Sequence, residues 1–459
     1  MSLIGSNRSK RRRRPPTVHH ASGGVSPSAG TAASSPWASM NEDFLRLIAW
    51  RVLAGDLLEY VRFRAVCRHW RSSTDSPRGR GVVDPRFHPR RWMMFPEGHG
   101  LHPSHTRLRD YIRFLNLDTG KFVRAKLPAF KDHCILDSVD GLLVMHRDED
   151  TAIRILHPFT GDIVDLPRLA ALAPHIYPGL PGALLPAQRC YYLRGVCASL
   201  SVSAAGVVAV LLALHRMGRV AFATSRDQQW HMSTWTFSYI TPLSFQGKLY
   251  MARMSFDPKE NSDIFQLDPP PPPPPQDHHH VDVVGSAGCS SLRLPPPKLI
   301  ATIPSDKLTR PIHLVECDSQ ILVTGYTDRS WSHMIIHRLA DLITSENPIP
   351  VTSIGDKALF LDNVRSMSVS SNGALPTVVG NTIVQASLAN GSLTEYNLST
   401  DAWSRPMDGC ILRGPVFGPC CLIYHIYTCS IREYWNKGQL CNRKKPCNWR
   451  VKGKWRTGV

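Results

Sequence analysis

A turn followed by an apolar strand, Pro158-Phe159-Thr160-Gly161-Asp162-Ile163-Val164, repeats an earlier segment of the chain. The earlier copy is Leu117-Asp118-Thr119-Gly120-Lys121-Phe122-Val123, which lies 41 positions upstream. A weaker copy stands at Leu398-Ser399-Thr400-Asp401-Ala402-Trp403. Each copy is typical of a hairpin turn between two half-buried strands. The repeat therefore predicts a β domain assembled from similar hairpins.

A second repeated element is a turn glycine followed by an apolar strand, as in Asp140-Gly141-Leu142-Leu143-Val144. Two further copies centre on Gly206 and Gly247, which are again 41 positions apart. Asp227 and Trp230 form an Asp-x-x-Trp of the kind that ends a propeller strand. A period close to 40 residues, with about four strands in each unit, is typical of β-propellers. We expect six or seven blades; a set of packed sandwiches is the alternative fold.

Upstream of the β domain, residues 37–75 have helical periodicity. Asn41 can cap a first helix, and Gly55-Asp56 breaks the chain before a second. A third apolar stripe runs from Phe63 to Trp70. Three helices in so short a segment are marginal as an independent core, so we expect them to pack on a partner or on the β domain. The fold class predicted is therefore α plus all-β, and a plain helical cap on the β domain is the simplest role for the helices.

The net charge of +18 is concentrated at the two ends of the 459-residue chain. Residues 1–36 carry a run of five basic residues, Lys10, Arg11, Arg12, Arg13 and Arg14, and are predicted to be disordered. Residues 431–459 form a second basic tail, while the body between is near neutral. A nucleic-acid groove would place charge on the folded body, so nucleic acid is not expected as the main partner. The run 10–14 predicts nuclear import, and hence a location in the nucleus and/or cytoplasm.

The twelve cysteines form no closely spaced framework, and no apolar signal segment is present, so we expect free thiols in a reducing compartment. The uncharged run 196–214 spans 19 positions. It contains the turn-like Ser203-Ala204-Ala205-Gly206, which favours two buried strands over a membrane helix. We therefore expect no membrane association. The proline run Pro269 to Pro275 cannot be a central strand, and it predicts a loop insert at about 268–297 placed between blades.

The sequence lacks the common motifs of catalytic chemistry. The sequence has no Gly-rich phosphate loop, no Gly-x-Ser-x-Gly elbow and no His-Glu-x-x-His pair. Six cysteines lie from Cys410 onward, but none of their spacings matches the Cys-x2–4-Cys pattern of zinc sites. We therefore predict no catalytic residues, no metal site and no cofactor, and a protein that is not an enzyme. A propeller enzyme with a site in its central channel has no residue constellation in its favour.

The helical segment resembles an F-box. The most specific part of the likeness is Arg62-Phe63-Arg64-Ala65-Val66-Cys67-Arg68-His69-Trp70-Arg71-Ser72. The resemblance implies that residues 37–80 dock on a Skp-type adaptor and, through it, on a cullin. One departure is that Met40-Asn41 replaces the usual Leu-Pro before the first helix, which bears on docking strength. The residues predicted to form the adaptor-binding face are Leu45, Ile48, Val52, Leu57, Leu58, Val66, Cys67 and Trp70.

The β region, placed at residues 81–430, is similar to the large plant family of F-box proteins with a KIB-type β-propeller. The likeness rests on three segments: Pro89-Arg90-Arg91-Trp92-Met93-Met94, Asp140-Gly141-Leu142-Leu143, and 355–369 with Gly355-Asp356-Lys357-Ala358-Leu359-Phe360-Leu361-Asp362-Asn363. It implies a substrate receptor of an SCF-type ubiquitin ligase, working in protein degradation, whose propeller recognises an unknown target protein. Two alternatives remain open. One is a nuclear propeller that binds nucleic acid or an acidic partner through its basic tails, and the other is a degenerate family member without ligase function.

Overall fold

In a computed structural model of the protein, the described residues fall into several ranges. They are 36–95, 111–147, 150–169, 196–238, 240–254, 257, 260–270, 294–362, 365–371, 375, 377–386, 393–406 and 422–430, with four short strands after residue 434. The basic run 10–14 and most of the proline run lie outside the described residues.

Three short helices open the described chain: α1 (Glu42–Gly55), α2 (Leu57–Arg64) and α3 (Arg68–Ser72). α1 begins where the Asn41 side chain accepts a hydrogen bond from the backbone N–H of Asp43 at 2.8 Å, as predicted. It ends at Gly55, and Asp56 adopts an extended conformation that starts α2 in a new direction. The break predicted at Gly55-Asp56 is therefore confirmed.

The third predicted helix is wrong in its extent. Phe63 belongs to α2, and the chain then leaves the helical conformation before Cys67, whose φ is −155°. The Cys67 Sγ accepts from the backbone N–H of Trp70 at 3.5 Å and so begins α3. Phe63 and Trp70 have helical spacing in the sequence but lie on different helices. They are still in contact, with ring centroids 4.4 Å apart.

Six sheets follow, one for each blade of a propeller, and the blade number falls within the predicted range. The first blade contains β1 (Trp92–Met94), β2 (Tyr111–Asn116) and β3 (Phe122–Lys126). The second contains β4 (His133–Val139), β5 (Leu142–Arg147), β6 (Ala152–Leu156) and β7 (Ile163–Arg168). The third contains β8 (Val196–Val202), β9 (Val208–Leu214), β10 (Arg219–Thr224) and β11 (His231–Met232).

The fourth blade contains β12 (Ile240–Phe245), β13 (Lys248–Arg253), β14 (Ser262–Leu267) and β15 (Lys298–Ile303). The fifth contains β16 (Thr309–Cys317), β17 (Gln320–Tyr326) and β18 (Met334–Arg338). The sixth contains β19 (Lys357–Leu361), β20 (Met367–Ser370), β21 (Thr382–Ala386), β22 (Leu393–Asn397) and β23 (Ala402–Ser404). Strand neighbours are antiparallel, except that β19 and β21 pair in parallel. A short helix, α4 (Leu339–Thr344), connects the fifth and sixth blades.

Apolar clusters join each blade to the next around the ring. Val144 and Val210 belong to the cluster between the second and third blades, and Leu243 and Leu314 to that between the fourth and fifth. The innermost strands β4, β8, β12 and β16 contact one another in succession. The core is therefore divided among the interfaces between blades, as the alternation of apolar strands requires.

Polar contacts close the ring between the last blade and the first two. The backbone N–H of Ser370 donates to the carbonyl of Leu117 at 2.8 Å. The Arg365 guanidinium, in the connection between β19 and β20, donates to the carboxylate of Asp137 on β4. Asp137 is fully buried, and its second oxygen accepts from the backbone N–H of Ala198 on β8 at 2.7 Å. One buried carboxylate thus holds three blades together near the axis.

A C-terminal helix, α5 (Leu422–Ser430), fills the same junction. Ile423, Ile426 and Tyr427 are buried in a cluster that also contains residues of the first, second and sixth blades. His425 lies against the ring of Phe95, with centroids 3.6 Å apart. Beyond α5 the chain forms two strand pairs, of β24 (Trp435–Asn436) with β25 (Gln439–Leu440) and of β26 (Asn448–Val451) with β27 (Lys454–Thr457).

Two sequence predictions about special segments have different outcomes. The uncharged run 196–214 forms β8 and β9 joined by a turn, as predicted. The proline insert, expected between blades, instead connects β14 to β15 within the fourth blade. A long connection is tolerated there because the entropy cost of closing a loop grows slowly with its length. In the part of the chain that the structure describes, no helix combines the length and apolar character needed to cross a membrane.

Candidate functional site

A single carboxylate joins the helices to the first blade. One oxygen of Asp56 accepts from the backbone N–H groups of Leu58 and Glu59 at 2.7 and 3.0 Å and caps α2. The other oxygen accepts from Trp92 Nε1 and Asn116 Nδ2, both at 2.8 Å. The start of α2 is therefore tied directly to β1 and β2.

The inner face of the helices is buried against the propeller. Ala49, Leu57 and Tyr60 form a buried cluster with Phe87, and Phe159 of the second blade packs against it. The Tyr60 hydroxyl donates to the carbonyl of Asp75 at 2.7 Å, and burial raises the pKa of Tyr60 above its usual range. The helices and the propeller thus share one continuous apolar contact.

The linker after α3 is fixed by the repeated Thr-Gly turn. The Asp162 carboxylate accepts from the backbone N–H groups of Gly79 and Gly81 at 2.9 and 2.8 Å. Burial opposes ionisation of Asp162, but these two hydrogen bonds still hold its pKa below the usual range. A Cβ at Gly81 would lie 2.6 Å from Thr160 Oγ1, so glycine is required for this close approach.

The outer face of the helices exposes apolar side chains. Phe44 is 63% exposed and Leu47 59% on α1, while Val61 is 43% exposed on α2 and Val66 61% just beyond it. Phe44, Leu47 and Ile48 follow the i, i+3, i+4 spacing, so they form one strip on a different side of α1 from the buried Leu45 and Ala49. A contiguous exposed apolar strip of this kind is typical of interaction surfaces. We call these five exposed residues the outer face.

The structure divides the eight predicted adaptor-binding residues into three groups. Ile48 and Val66 belong to the outer face, whereas Val52, Leu58, Cys67 and Trp70 are half-buried. Leu45 and Leu57 are 0% and 3% exposed, so they support the helices from inside instead of offering contact surface.

Three outer-face residues were missing from that set: Phe44, Leu47 and Val61. The signal that could have found them is that apolar residues cover more than one side of α1, which a helix packed on a single neighbour does not need.

A groove of about 280 Å³ borders the outer face between α2, the linker and the second blade. Its floor is apolar and includes Leu58, Val61 and Phe159, and its rim carries three arginines, Arg64, Arg71 and Arg78. Among the residues that line it, none is acidic. The Arg64 guanidinium is held by Thr74 Oγ1 at 3.0 Å and by the carbonyl of Arg71 at 3.1 Å. The groove therefore suits an acidic partner with apolar side chains.

A metal-binding site requires several ligand side chains close together. There, His, Cys, Asp and Glu side chains form no group of three or more suited to hold a metal ion. Five described cysteines are thiols that form no disulfide: Cys67, Cys134, Cys197, Cys317 and Cys429. Of the C-terminal cysteines weighed as zinc ligands, Cys429 is buried in α5 and the others lie outside the described residues.

Comparison with known proteins identifies the β region. A family model described as the KIB1-4 beta-propeller matches residues 114–397, which is more than half of the chain. Comparison with curated proteins found no match.

Solved structures similar to the chain include a puromycin-hydrolysing peptidase of Mycobacterium tuberculosis, at 11% identity and a TM-score of 0.28 over 76% of this chain and 56% of that chain. A nidogen/laminin complex matches at 12% identity and a TM-score of 0.27, over 70% of this chain and 95% of that chain. The chain thus spans little more than half the length of the first structure. At such TM-scores these likenesses carry no argument about the present chain.

Proposed function

The chain belongs to the KIB1-4 β-propeller family, and from this we propose that it is the substrate-receptor subunit of an SCF-type ubiquitin ligase. In this proposal the three helices are an F-box that docks on a Skp-type adaptor and, through it, on a cullin. The propeller recognises a target protein, and the chain contributes binding and positioning without bond chemistry of its own. The basic run 10–14 supports a location in the nucleus and/or cytoplasm.

The observation that carries the proposal is the division of the helices into two faces. Their inner face is already occupied by the propeller, through Asp56 and the cluster around Tyr60. Their outer face stays exposed, although its apolar side chains would gain free energy by burial, at about 25 cal/mol per Å². A mere helical cap needs only the inner face. A second apolar face therefore supports docking of a partner protein.

Adaptor capture tests the proposal. The triple variant Phe44→Ala/Leu47→Ala/Ile48→Ala removes exposed side chains only, so the fold should be retained. We expect the full-length wild type to capture a purified Skp-type adaptor and the triple variant to bind it at least about tenfold more weakly. Arg78→Glu, at the rim of the groove, should also weaken capture, more at low salt than at high salt.

Ile349→Ala is the matched control, because Ile349 is a 79% exposed apolar residue of the propeller. It should bind the adaptor as the wild type does. Thermal unfolding of each variant separates loss of binding from loss of fold. Equal capture by the triple variant, or no capture by a well-folded wild type, would contradict the proposal. The second result would indicate a degenerate family member in which Met40-Asn41 no longer supports docking.

A further inference from the structure

A cleft opens between the fourth and fifth blades, away from the helices. Its volume is about 220 Å³. The fourth blade contributes Asp257 and Glu260, from the connection between β13 and β14. The fifth blade contributes Arg310 on β16, and Arg329 and Trp331 from the connection between β17 and β18.

Trp331 is the most unusual residue of this cleft. Its indole is 45% exposed, and its backbone has a φ of 56°, in the left-handed region. A bulky aromatic residue is rarely found there, because its Cβ crowds the backbone. The Trp331 ring centroid lies 6.4 Å from that of Tyr326, yet nearly half of the side chain stays exposed and is available to a partner.

The loop that carries Trp331 is held in place by its own hydrogen bonds and by the sixth blade. The Asp328 carboxylate accepts from the backbone N–H of Ser330 at 2.7 Å. Trp403 Nε1 donates to the carbonyl of Ser332 at 2.7 Å, and the backbone N–H of Thr327 donates to the carbonyl of His333 at 3.0 Å. Trp331 is therefore presented in a fixed position, which lowers the entropy cost of binding to it.

The two walls of the cleft carry opposite charges. The wall from the fourth blade is acidic and the wall from the fifth blade is basic, with Leu308 buried between them. Arg329 is exposed and forms no ion pair with a carboxylate among the described residues. The neighbouring Asp328 is directed instead at Ser330 and Ser332. An occupant that complements the cleft needs an apolar group, an acid facing Arg329 and a base facing the acidic wall.

The volume points to the kind of occupant. Small-molecule sites usually measure about 300–1,000 Å³, which exceeds this cleft, whereas one or two side chains of a protein fit it. Tryptophan and arginine are also the residues that most often dominate the binding energy of protein interfaces. We propose that the cleft anchors a segment of the target protein in which an apolar side chain lies between an acidic and a basic residue.

This inference rests on the proposed function only in calling the bound protein a target. The cleft is formed by the fourth and fifth blades, and the adaptor surface by the helices, the linker and the second blade, so the two surfaces can fail separately. If Trp331 variants still capture the adaptor while losing segment binding, both proposals stand. Outer-face variants should lose adaptor capture and still bind the segment at the cleft.

Peptide selection tests the cleft without knowledge of the target. A phage-displayed library of random peptides is selected on the immobilised full-length chain, with counter-selection on Trp331→Gly. Glycine adopts the left-handed conformation freely, so this variant should fold at least as well as the wild type. We expect enriched peptides to carry an apolar residue between an acid and a base, and to bind Trp331→Gly at least about tenfold more weakly in fluorescence anisotropy.

Two further variants test whether peptide binding depends on the charge at residue 329 and on Trp331 in particular. Arg329→Glu should weaken an enriched peptide about tenfold, and exchanging the acid of that peptide for lysine should restore binding. Trp50→Ala removes another exposed tryptophan, on α1, and should have no effect. Failure to enrich any peptide, or equal binding by the wild type and Trp331→Gly, would overturn the proposal, as would peptides that bind irrespective of the charge at residue 329.

Discussion

At the scale of single residues, three buried or half-buried carboxylates determine how the parts meet. Asp56 and Asp137 each accept hydrogen bonds from different parts of the chain, and Asp162 accepts two from the distant linker. The sequence predicted that Asp162 follows a turn and that Asp56 follows a helix break. It could not predict their second partners, because Trp92 and Gly79 approach them only after the chain has folded. Local chemistry was therefore predictable, and the choice of distant partners was not.

His313 on β16 should make the stability of the protein depend on pH. The residue is 4% exposed, and burial lowers its pKa to about 4. The folded state therefore keeps the imidazole neutral, whereas the unfolded chain takes up a proton below about pH 6.5. The stability linked to neutral His313 is complete above pH 6.5 and is lost as the pH falls towards 4, by up to about 3 kcal/mol.

Urea unfolding of wild type and His313→Gln over this pH range measures the effect. The free energy of unfolding should fall more steeply with decreasing pH in the wild type than in the variant. Parallel curves for the two proteins would show that His313 does not contribute to the acid response.

At the scale of elements, periodic signals succeeded where one face of an element is buried. The paired strands β8 and β9 and the Thr-Gly turns were predicted because each repeats a simple pattern. The third helix was misjudged, since Phe63 and Trp70 have helical spacing but lie on separate helices. The buried face of α1 was hard to assign, and α5 was missed, since its residues were placed in the β region. Both helices carry apolar residues whose burial depends on contacts with blades that are distant in sequence.

α5 should contribute strongly to stability. Ile426 is fully buried between the first and last blades, so Ile426→Ala leaves a cavity and should cost about 2–5 kcal/mol of unfolding free energy. Ile349→Ala, which removes an equal number of atoms from an exposed site, should change it by less than about 0.5 kcal/mol. Denaturant unfolding followed by circular dichroism compares the two variants. Similar stabilities would mean that α5 is not part of the core.

At the scale of the whole molecule, the helices and the propeller have a defined relative position. Asp56, the Tyr60 cluster and the Asp162 linker contacts act at three separate points. A ligase receptor of the proposed kind would use this arrangement to hold a target at a set distance from the adaptor. The sequence predicted both units and their order. Its repeats include Asp162 and Phe159, but no pattern indicated that these side chains contact the linker and the helices.

Asp162→Ala should loosen the linker between the helices and the propeller. Without the carboxylate, the backbone N–H groups of Gly79 and Gly81 lose their acceptor, and the bonds after Arg78 and Arg80 become open to trypsin. We expect cleavage there to be at least about tenfold faster than in the wild type, because about 1.5–3 kcal/mol is lost with each charged hydrogen bond. Asp165→Ala is the control, since Asp165 lies on the next strand and pairs only with Arg154 in the described ranges. Mass spectrometry of the fragments gives the rates, and equal rates would contradict this role of Asp162.

The junction of the last blade with the first also sets an order of events during synthesis. β1 begins at Trp92, but its blade is enclosed only when β20 and α5 arrive, the latter ending at Ser430. At about 5–20 residues per second, a ribosome needs roughly 20–70 s to make the intervening chain. During that interval the apolar surfaces of the first blade are uncovered beside helices that are already complete. Nascent chains should therefore depend on chaperones until the final helix leaves the exit tunnel, and premature termination should yield an aggregation-prone product.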